Sequence, residues 1–346
     1  MTLTKKTTTD ERLGGGHMIG RVLGRPEMGA LVGAIVVFAI FAIVAPIFVT
    51  PAAVATILYG SSTIGIMAVG IGLLMIGGEF DLSAGVAVTS SALTSALFSW
   101  YLGVNVWVGV GVSLIFSLLI GLINGWLLVK TKLPSFIVTL ATFLMLTGLN
   151  LTVTRLVANG VSSPSVAGID GFESARAVFA SDIVIFGTPY KITIFVWIAL
   201  VLIATWVLTR TKVGNWIFAV GGDPLAARAV GVPVTATKIG LFMAVGLCAW
   251  ITGMHSLFAF NTINAGDGVG NEFLYIIAAV IGGCLLTGGY GSAVGTALGA
   301  LIFGMANKGI VYAEWNPDAF KLFLGAMLLI ATIVNLLVKR RAEQTK

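Results

Sequence analysis

Apolar runs of about 20 residues recur along almost the whole chain, and they constrain its fold more than any other feature. A helix of that length crosses the hydrocarbon core of a bilayer, which is ~30 Å thick. The runs lie at residues 29–49, 54–76, 84–101, 104–129, 135–155, 191–209, 237–260, 273–287, 291–307 and 319–338. They predict an all-α, polytopic transmembrane helical bundle of about ten spans. Because only 10% of the residues are charged, against about a quarter in soluble domains, a soluble enzyme is excluded.

The basic residues indicate the orientation of these spans, since Lys and Arg concentrate in cytoplasmic loops. With the N-terminus inside, 15 of the 20 basic residues fall on the cytoplasmic side. We therefore predict that both termini are cytoplasmic. The predicted organisation is a basic N-terminal tail at 1–28, a transmembrane domain at 29–338 and a short C-terminal tail at 339–346. This charge pattern does not suggest a nucleic-acid partner.

One polar segment, Ala219–Pro233, interrupts the apolar runs and faces the cytoplasm in this topology. Asp223 is a favourable N-cap, Pro224 suits the first helical position, and Gly231 suits the end of a helix. The segment is therefore predicted to form a helix of about two turns, too short to be stable alone in water. An amphipathic helix lying on lipid is the alternative, but a single cation and little apolar asymmetry disfavour it. We expect this helix to dock on a protein.

The sequence IGGEFDLSAG at residues 76–85 places two carboxylates between apolar spans, with no Lys or Arg nearby in the sequence. Acidic residues within a membrane are costly and usually functional. Glu79, Asp81 and Ser83 are therefore candidate pathway residues, together with Asn261 and Asn264. Simpler alternatives remain: Asp81 or Ser83 caps the next helix, and Glu79 and the two asparagines are merely solvated.

Glycine-rich breaks suggest an internal repeat, because Ile-Gly-Gly at 76–78 and at 281–283 each precede a helix rich in small residues. Two related halves are a common plan in transporters, although chance similarity is the alternative. Gly291, Gly295 and Gly299 are spaced four apart and predict close helix packing. No Walker motif occurs, so any ATP chemistry must come from a partner. Cys248 and Cys284 lie in apolar runs and support neither a disulfide framework nor a metal site.

Four motifs together resemble the permease subunits of bacterial ATP-binding-cassette (ABC) importers, in the branch for ribose, xylose and galactose. They are the segments at 76–85, 133–149 (LPSFIVTLATFLMLTGL), 219–233 and 277–304 (IAAVIGGCLLTGGYGSAVGTALGALIFG). The similarity extends from about residue 29 to the C-terminus. Two departures stand out: Glu79-Phe80 replaces a single apolar residue, and Asp223 replaces the usual Asn.

The resemblance implies a permease subunit in the bacterial inner membrane that is not itself an enzyme and imports a monosaccharide or related polyol. The implied partners are a cytoplasmic ABC ATPase, a periplasmic or lipid-anchored sugar-binding protein and a second permease copy. ATP and Mg²⁺ would bind the ATPase, and no cofactor would bind this chain. The residues implied in ATPase coupling are Gly222, Asp223, Pro224, Ala226, Ala227, Arg228 and Gly231. An ion-coupled secondary transporter is the alternative function.

Overall fold

The structure, a computed structural model, describes residues 27–344, with side chains through Val334. The predicted N-terminal tail therefore lies outside the described residues except for its last two positions. The predicted C-terminal tail is described only as backbone up to Gln344.

The described chain is mostly helical. The first seven helices are α1 (Glu27–Val44), α2 (Pro51–Ile76), α3 (Ala84–Leu102), α4 (Val106–Thr131), α5 (Ser135–Ala158), α6 (Phe172–Phe179) and α7 (Ile192–Arg210). The remaining six are α8 (Lys212–Gly222), α9 (Pro224–Ala229), α10 (Val234–Phe260), α11 (Asn271–Ile281), α12 (Ala293–Tyr312) and α13 (Ala319–Gln344). A short 3-10 helix, Pro46–Val49, joins α1 to α2.

Each predicted span contains a helix, although the one at 273–287 is helical only to Ile281, and the polytopic helical bundle is confirmed. Seven of the described helices, α1, α2, α4, α5, α7, α10 and α12, are long and apolar enough to cross a membrane. Helix α11 has 11 residues and is about 16 Å long, which is too short to cross the bilayer alone. The number of ten spans and the orientation of the termini stay predictions.

One correction to the all-α prediction is a small antiparallel hairpin, β1 (Asp182–Ile185) paired with β2 (Thr188–Lys191). It lies in the connection between α6 and α7. The strand-forming run Ile183–Ile185 is followed by Phe186 and Gly187, which both have positive φ (48° and 78°). Two such residues form the tight turn that suits a two-residue hairpin.

Helix α2 is the central helix of the bundle and packs against α7, α10, α11 and α12. Small residues allow this close packing, as is usual between membrane helices. A Cβ placed on Gly70, for example, would lie 3.0 Å from the Cys248 sulfur of α10. Because α10 has 27 residues, it is about 40 Å long. It begins beside α9 and ends at Phe260, so the bundle has two distant ends.

Candidate functional site

Three backbone segments meet at glycines at the end of the bundle that carries α8 and α9. We call Gly78, Gly221, Gly288 and Gly289 the glycine junction. The Gly289 N–H donates a 2.8 Å hydrogen bond to the Ile76 carbonyl at the end of α2. A Cβ on Gly221 would overlap that same carbonyl oxygen and lie 2.7 Å from the Gly289 nitrogen. The segments therefore touch through backbone atoms, with no room for a side chain.

The junction joins the two glycine-rich breaks to each other and to α8. The first break, residues 77–83, connects α2 to α3, and the second, residues 282–292, connects α11 to α12. A Cβ on Gly288 would lie 2.6 Å from the Gly78 Cα and 2.7 Å from the Gly221 carbonyl oxygen. The two segments that resemble each other in sequence are thus in direct contact.

Glycines in and after the second break bring α11 and α12 close together. A Cβ on Gly295 or on Gly299 would overlap the carbonyl oxygen of Gly282 or of Ala278, respectively. Gly291 differs from them, because it precedes α12 and has a φ of +151°. The three glycines therefore do not share one helix face, and only Gly295 and Gly299 lie on α12.

Helix α9 forms as its sequence predicts. Asp223 Oδ1 accepts hydrogen bonds from the N–H groups of Leu225 (2.8 Å) and Ala226 (3.0 Å). Pro224 is the first helical residue, and Gly231 has the positive φ (84°) that follows the last turn. The predicted N-cap and the predicted helix end are both confirmed.

Two faces of α9 differ sharply in exposure. Ala227 is buried and packs in a small apolar cluster with Val220 of α8 and Val234 of α10. On the opposite face Leu225 is 78% exposed and Val230, just after the helix, is 80% exposed. Exposed large apolar side chains beside a polar helix are typical of a surface that contacts another protein. Helix α9 is thus fixed to the bundle on one side and open on the other.

An ion pair ties the first break to the start of α10. Glu79 is buried and its Oε1 accepts a hydrogen bond from Lys238 Nζ, 159 residues away in the chain. The interpretation of Glu79 as a solvated carboxylate is therefore wrong. Lys238 also belongs to this site, and no local sequence pattern indicates it, since its distance in the chain conceals the pairing.

A second polar network holds the same break against α4 and α5. Asp81 Oδ1 accepts hydrogen bonds from the Ser83 N–H (2.8 Å) and hydroxyl (2.6 Å). Asn124 Nδ2 donates to Ser83 Oγ (2.9 Å), and the Thr142 hydroxyl donates to Asn124 Oδ1 (2.7 Å). Ser83 is the N-cap residue of α3, yet its side chain makes no capping bond. The alternative that Ser83 caps α3 is therefore wrong, whereas Asp81 accepts a backbone N–H at the start of α3 as an N-cap residue does.

The five candidate pathway residues are not brought together. Glu79, Asp81 and Ser83 lie in the first break, whereas Asn261 and Asn264 follow the far end of α10. Asn261 ends α10 with a φ of +65°, and Asn264 Nδ2 donates to Ser162 Oγ at 3.3 Å. Asn264 also lines a cavity of about 450 Å³ between α2, α3, α10 and α11. No sequence pattern predicts this cavity.

The buried cysteines and the buried histidine do not form a metal site. Among residues 27–344, no group of three His, Cys, Asp or Glu side chains is placed to hold a metal ion. Cys248 and Cys284 are free and buried. The ring of His255 lies between the Tyr59 hydroxyl (3.0 Å) and the Phe179 carbonyl (2.8 Å).

Comparison with known proteins places this architecture in a family. Residues 53–332 match the family described as the permease component of the branched-chain amino acid transport system. The chain belongs to this permease family. Its resemblance to ABC importer permeases is thereby confirmed, and the permease is a subunit for transport through the bacterial inner membrane, not an enzyme.

Relatives of the permease include three proteins of Escherichia coli (strain K12). The ribose import permease protein RbsC is 34% identical over 89% of this chain and 93% of its own. The L-arabinose transport system permease protein AraH is 31% identical over 90% and 92%. The galactose/methyl galactoside import permease protein MglC is 29% identical over 92% and 96%. No solved structure matches the permease.

Proposed function

We propose that the permease imports a monosaccharide or related polyol across the inner membrane as one subunit of an ABC importer. Relatives named for ribose, arabinose and galactose transport support this class of solute. A separate cytoplasmic ATPase, which binds ATP and Mg²⁺, supplies the driving force, and a sugar-binding protein delivers the solute. Two permease copies form the membrane unit, each with ten spans and both termini in the cytoplasm.

The observation that carries this proposal is the continuous path from α9 to the ends of α2 and α11. Helix α9 follows α8 directly, and Gly221 of α8 touches both Ile76 and Gly289 through backbone atoms. Because these contacts are between backbone atoms, no side-chain rotamer can change to absorb a movement of α8. A displacement of α8 therefore moves the contacting segments with it. Closure of the ATPase subunits moves α9, and the glycine junction conveys that movement to both breaks.

The ATPase contacts the exposed side of α9. Six of the seven residues implied in coupling are exposed: Gly222, Asp223, Pro224, Ala226, Arg228 and Gly231. Ala227 instead faces the bundle, so its part in coupling is to hold α9 in place. Leu225 and Val230 add apolar area to the same docking surface.

The solute passes along the interface between the two permease copies, bordered by the two breaks. Glu79, Asp81 and Ser83 position the first break in this arrangement, through their bonds to α4 and α10. A neutral sugar needs hydrogen-bonding groups and no opposite charge. No observation on the described residues favours the ion-coupled alternative, since Glu79 is paired with Lys238 and Asp81 with Ser83.

Reconstitution with the ATPase and the binding protein tests the proposal. We expect Arg228→Glu to lower both ATP-driven sugar uptake and sugar-stimulated ATP hydrolysis, because it reverses a charge on the docking surface. Arg176→Glu is the matched control, since Arg176 is an exposed residue of α6, far from α9. Uptake and hydrolysis that are equal in the two variants would refute the coupling role of α9.

A further inference from the structure

The cavity between α2, α3, α10 and α11 contains hydroxyl groups that the protein itself does not use. Thr89 of α3, Thr252 of α10 and Tyr275 of α11 all line it. They are buried, with exposed fractions of 3%, 6% and 2%. Within residues 27–344 the Thr252 hydroxyl has no hydrogen-bond partner, and none is found for Thr89 or Tyr275 either.

These free hydroxyls are unusual for this bundle. A helical threonine normally donates to the carbonyl four residues earlier, and most of the buried ones here do so. Thr139 donates to Ser135 at 2.8 Å, and Thr154 donates to Asn150 at 2.6 Å. A buried polar group without a partner costs about 1–3 kcal/mol. The Thr252 oxygen is itself fully enclosed, whereas Thr89 and Tyr275 line the cavity with hydroxyls that have no protein partner and so indicate a bound polar molecule.

The charge of the lining limits the chemistry of that molecule. Among the residues that line the cavity, Asp267 is the one acidic or basic residue. Its Oδ2 accepts a hydrogen bond from the Asn264 N–H at 3.0 Å, within a tight turn. The lining thus offers hydroxyl and amide groups, a single carboxyl and no basic side chain, which disfavours an anion and suits a neutral ligand with many hydroxyls.

The size of the cavity agrees with such a ligand. Its volume of about 450 Å³ lies within the usual range of small-molecule pockets, roughly 300–1,000 Å³. Hydroxyl groups both donate and accept hydrogen bonds, so the side chains of Thr89 and Tyr275 can each pair with a sugar hydroxyl in either direction. A lipid chain would leave both unpaired.

We propose that this cavity binds one neutral monosaccharide within each permease copy, through the hydroxyls of Thr89 and Tyr275. This inference rests on the proposed function but extends it, because the solute then has a site inside one copy as well as a path between two. The cavity lies at the end of α10 opposite α9, so sugar binds far from the surface that contacts the ATPase.

Saturation-transfer difference NMR on the purified permease–ATPase complex tests the site without the binding protein. D-Ribose, L-arabinose and D-galactose are the probes, and sucrose is the size control. We expect at least one monosaccharide to bind and Thr89→Val or Tyr275→Phe to weaken it about three- to tenfold, the effect of one lost hydrogen bond. Thr205→Val is the matched control, because the Thr205 hydroxyl donates to Val201 in α7, outside the cavity.

A conservative variant separates binding from folding. Thr89→Ser keeps the hydroxyl and is expected to restore binding to within about twofold of the wild type, a rescue that a purely structural role for the methyl group would not give. Equal binding by the wild type and the Thr89→Val/Tyr275→Phe variant would overturn the site, as would a transport-active complex that binds none of the three sugars. A reconstituted complex without ATP-driven uptake of any sugar would instead refute the proposed function.

Discussion

Two adjacent glycines, Gly221 and Gly222, have very different surroundings, so the same Gly→Ala substitution can be compared at the two positions. A Cβ on Gly221 would overlap the Ile76 carbonyl oxygen, whereas a Cβ on Gly222 would meet nothing within 4 Å. We predict that Gly221→Ala lowers stability by about 1–3 kcal/mol, the usual cost of overpacking, and abolishes ATP-driven uptake. Thermal unfolding in detergent and uptake by proteoliposomes measure the two effects.

Gly222→Ala is the control for this substitution, because it makes the same chemical change one residue away in the same helix. We expect it to leave stability close to that of the wild type, and the two variants are compared by stability because Gly222 also lies on the docking surface for the ATPase. Similar unfolding temperatures of the two variants would contradict the role assigned to the glycine junction.

The Glu79–Lys238 ion pair predicts that the stability losses of the two single variants do not add in the double variant. Both side chains are largely shielded from solvent, with 12% and 15% exposed. Glu79→Gln or Lys238→Met alone leaves the partner charge buried and is expected to cost about 3–5 kcal/mol. The double variant removes both charges and is expected to recover most of that loss. Thermal unfolding of the four proteins forms a double-mutant cycle, and additive losses would argue against a direct pairing.

Helix α9 depends on its N-cap, because it is only six residues long. Asp223→Ala removes both acceptor contacts to Leu225 and Ala226, at an expected cost of about 1 kcal/mol. We predict that sugar-stimulated ATP hydrolysis falls in this variant while membrane insertion is unchanged. Asp223→Asn should behave like the wild type, since Asn is an equally good N-cap. A loss of stimulation in both variants would point to the charge of Asp223, not to its cap.

Local signals explain why α9 could be predicted and the ion pair could not. Asp223 and Pro224 start the helix and Gly231 ends it through contacts within a few residues, so these signals can be recognised in the sequence. The pairing of Glu79 with Lys238 depends on how α10 crosses the first break, and no local pattern encodes that. The cavity escaped prediction for the same reason, because Thr89, Thr252 and Tyr275 become neighbours only after three helices pack.

The predicted orientation of the whole permease can be tested with two exposed positions at opposite ends. Phe186 at the hairpin tip is fully exposed, and Val230 beside α9 is largely exposed. We predict that a membrane-impermeant maleimide labels Phe186→Cys in spheroplasts, whereas it labels Val230→Cys only after lysis. The native Cys248 and Cys284 are buried, so the wild type should give little background. The reverse pattern would place both termini outside.

Hydropathy was sufficient for the class of the whole molecule but not for its details. Apolar runs located every major helix, because the bilayer demands about 20 apolar residues for each span. The same rule failed at 273–287, where glycines end α11 at Ile281. It also missed the hairpin at Asp182–Lys191, which lies in a connection that a hydropathy pattern does not describe.

Because the glycine junction has no side chains, we expect mutations there to weaken the contact and not to strengthen it. Any substitution of Gly221 or Gly288 adds atoms where none fit, so random change can loosen this contact but can hardly improve it. The hydroxyl-lined cavity behaves in the opposite way, because exchanging Thr, Ser and Val adjusts a hydrogen bond up or down. If the cavity binds the sugar as proposed, single substitutions there can change sugar preference, while the glycine junction at the other end of the permease accepts few changes.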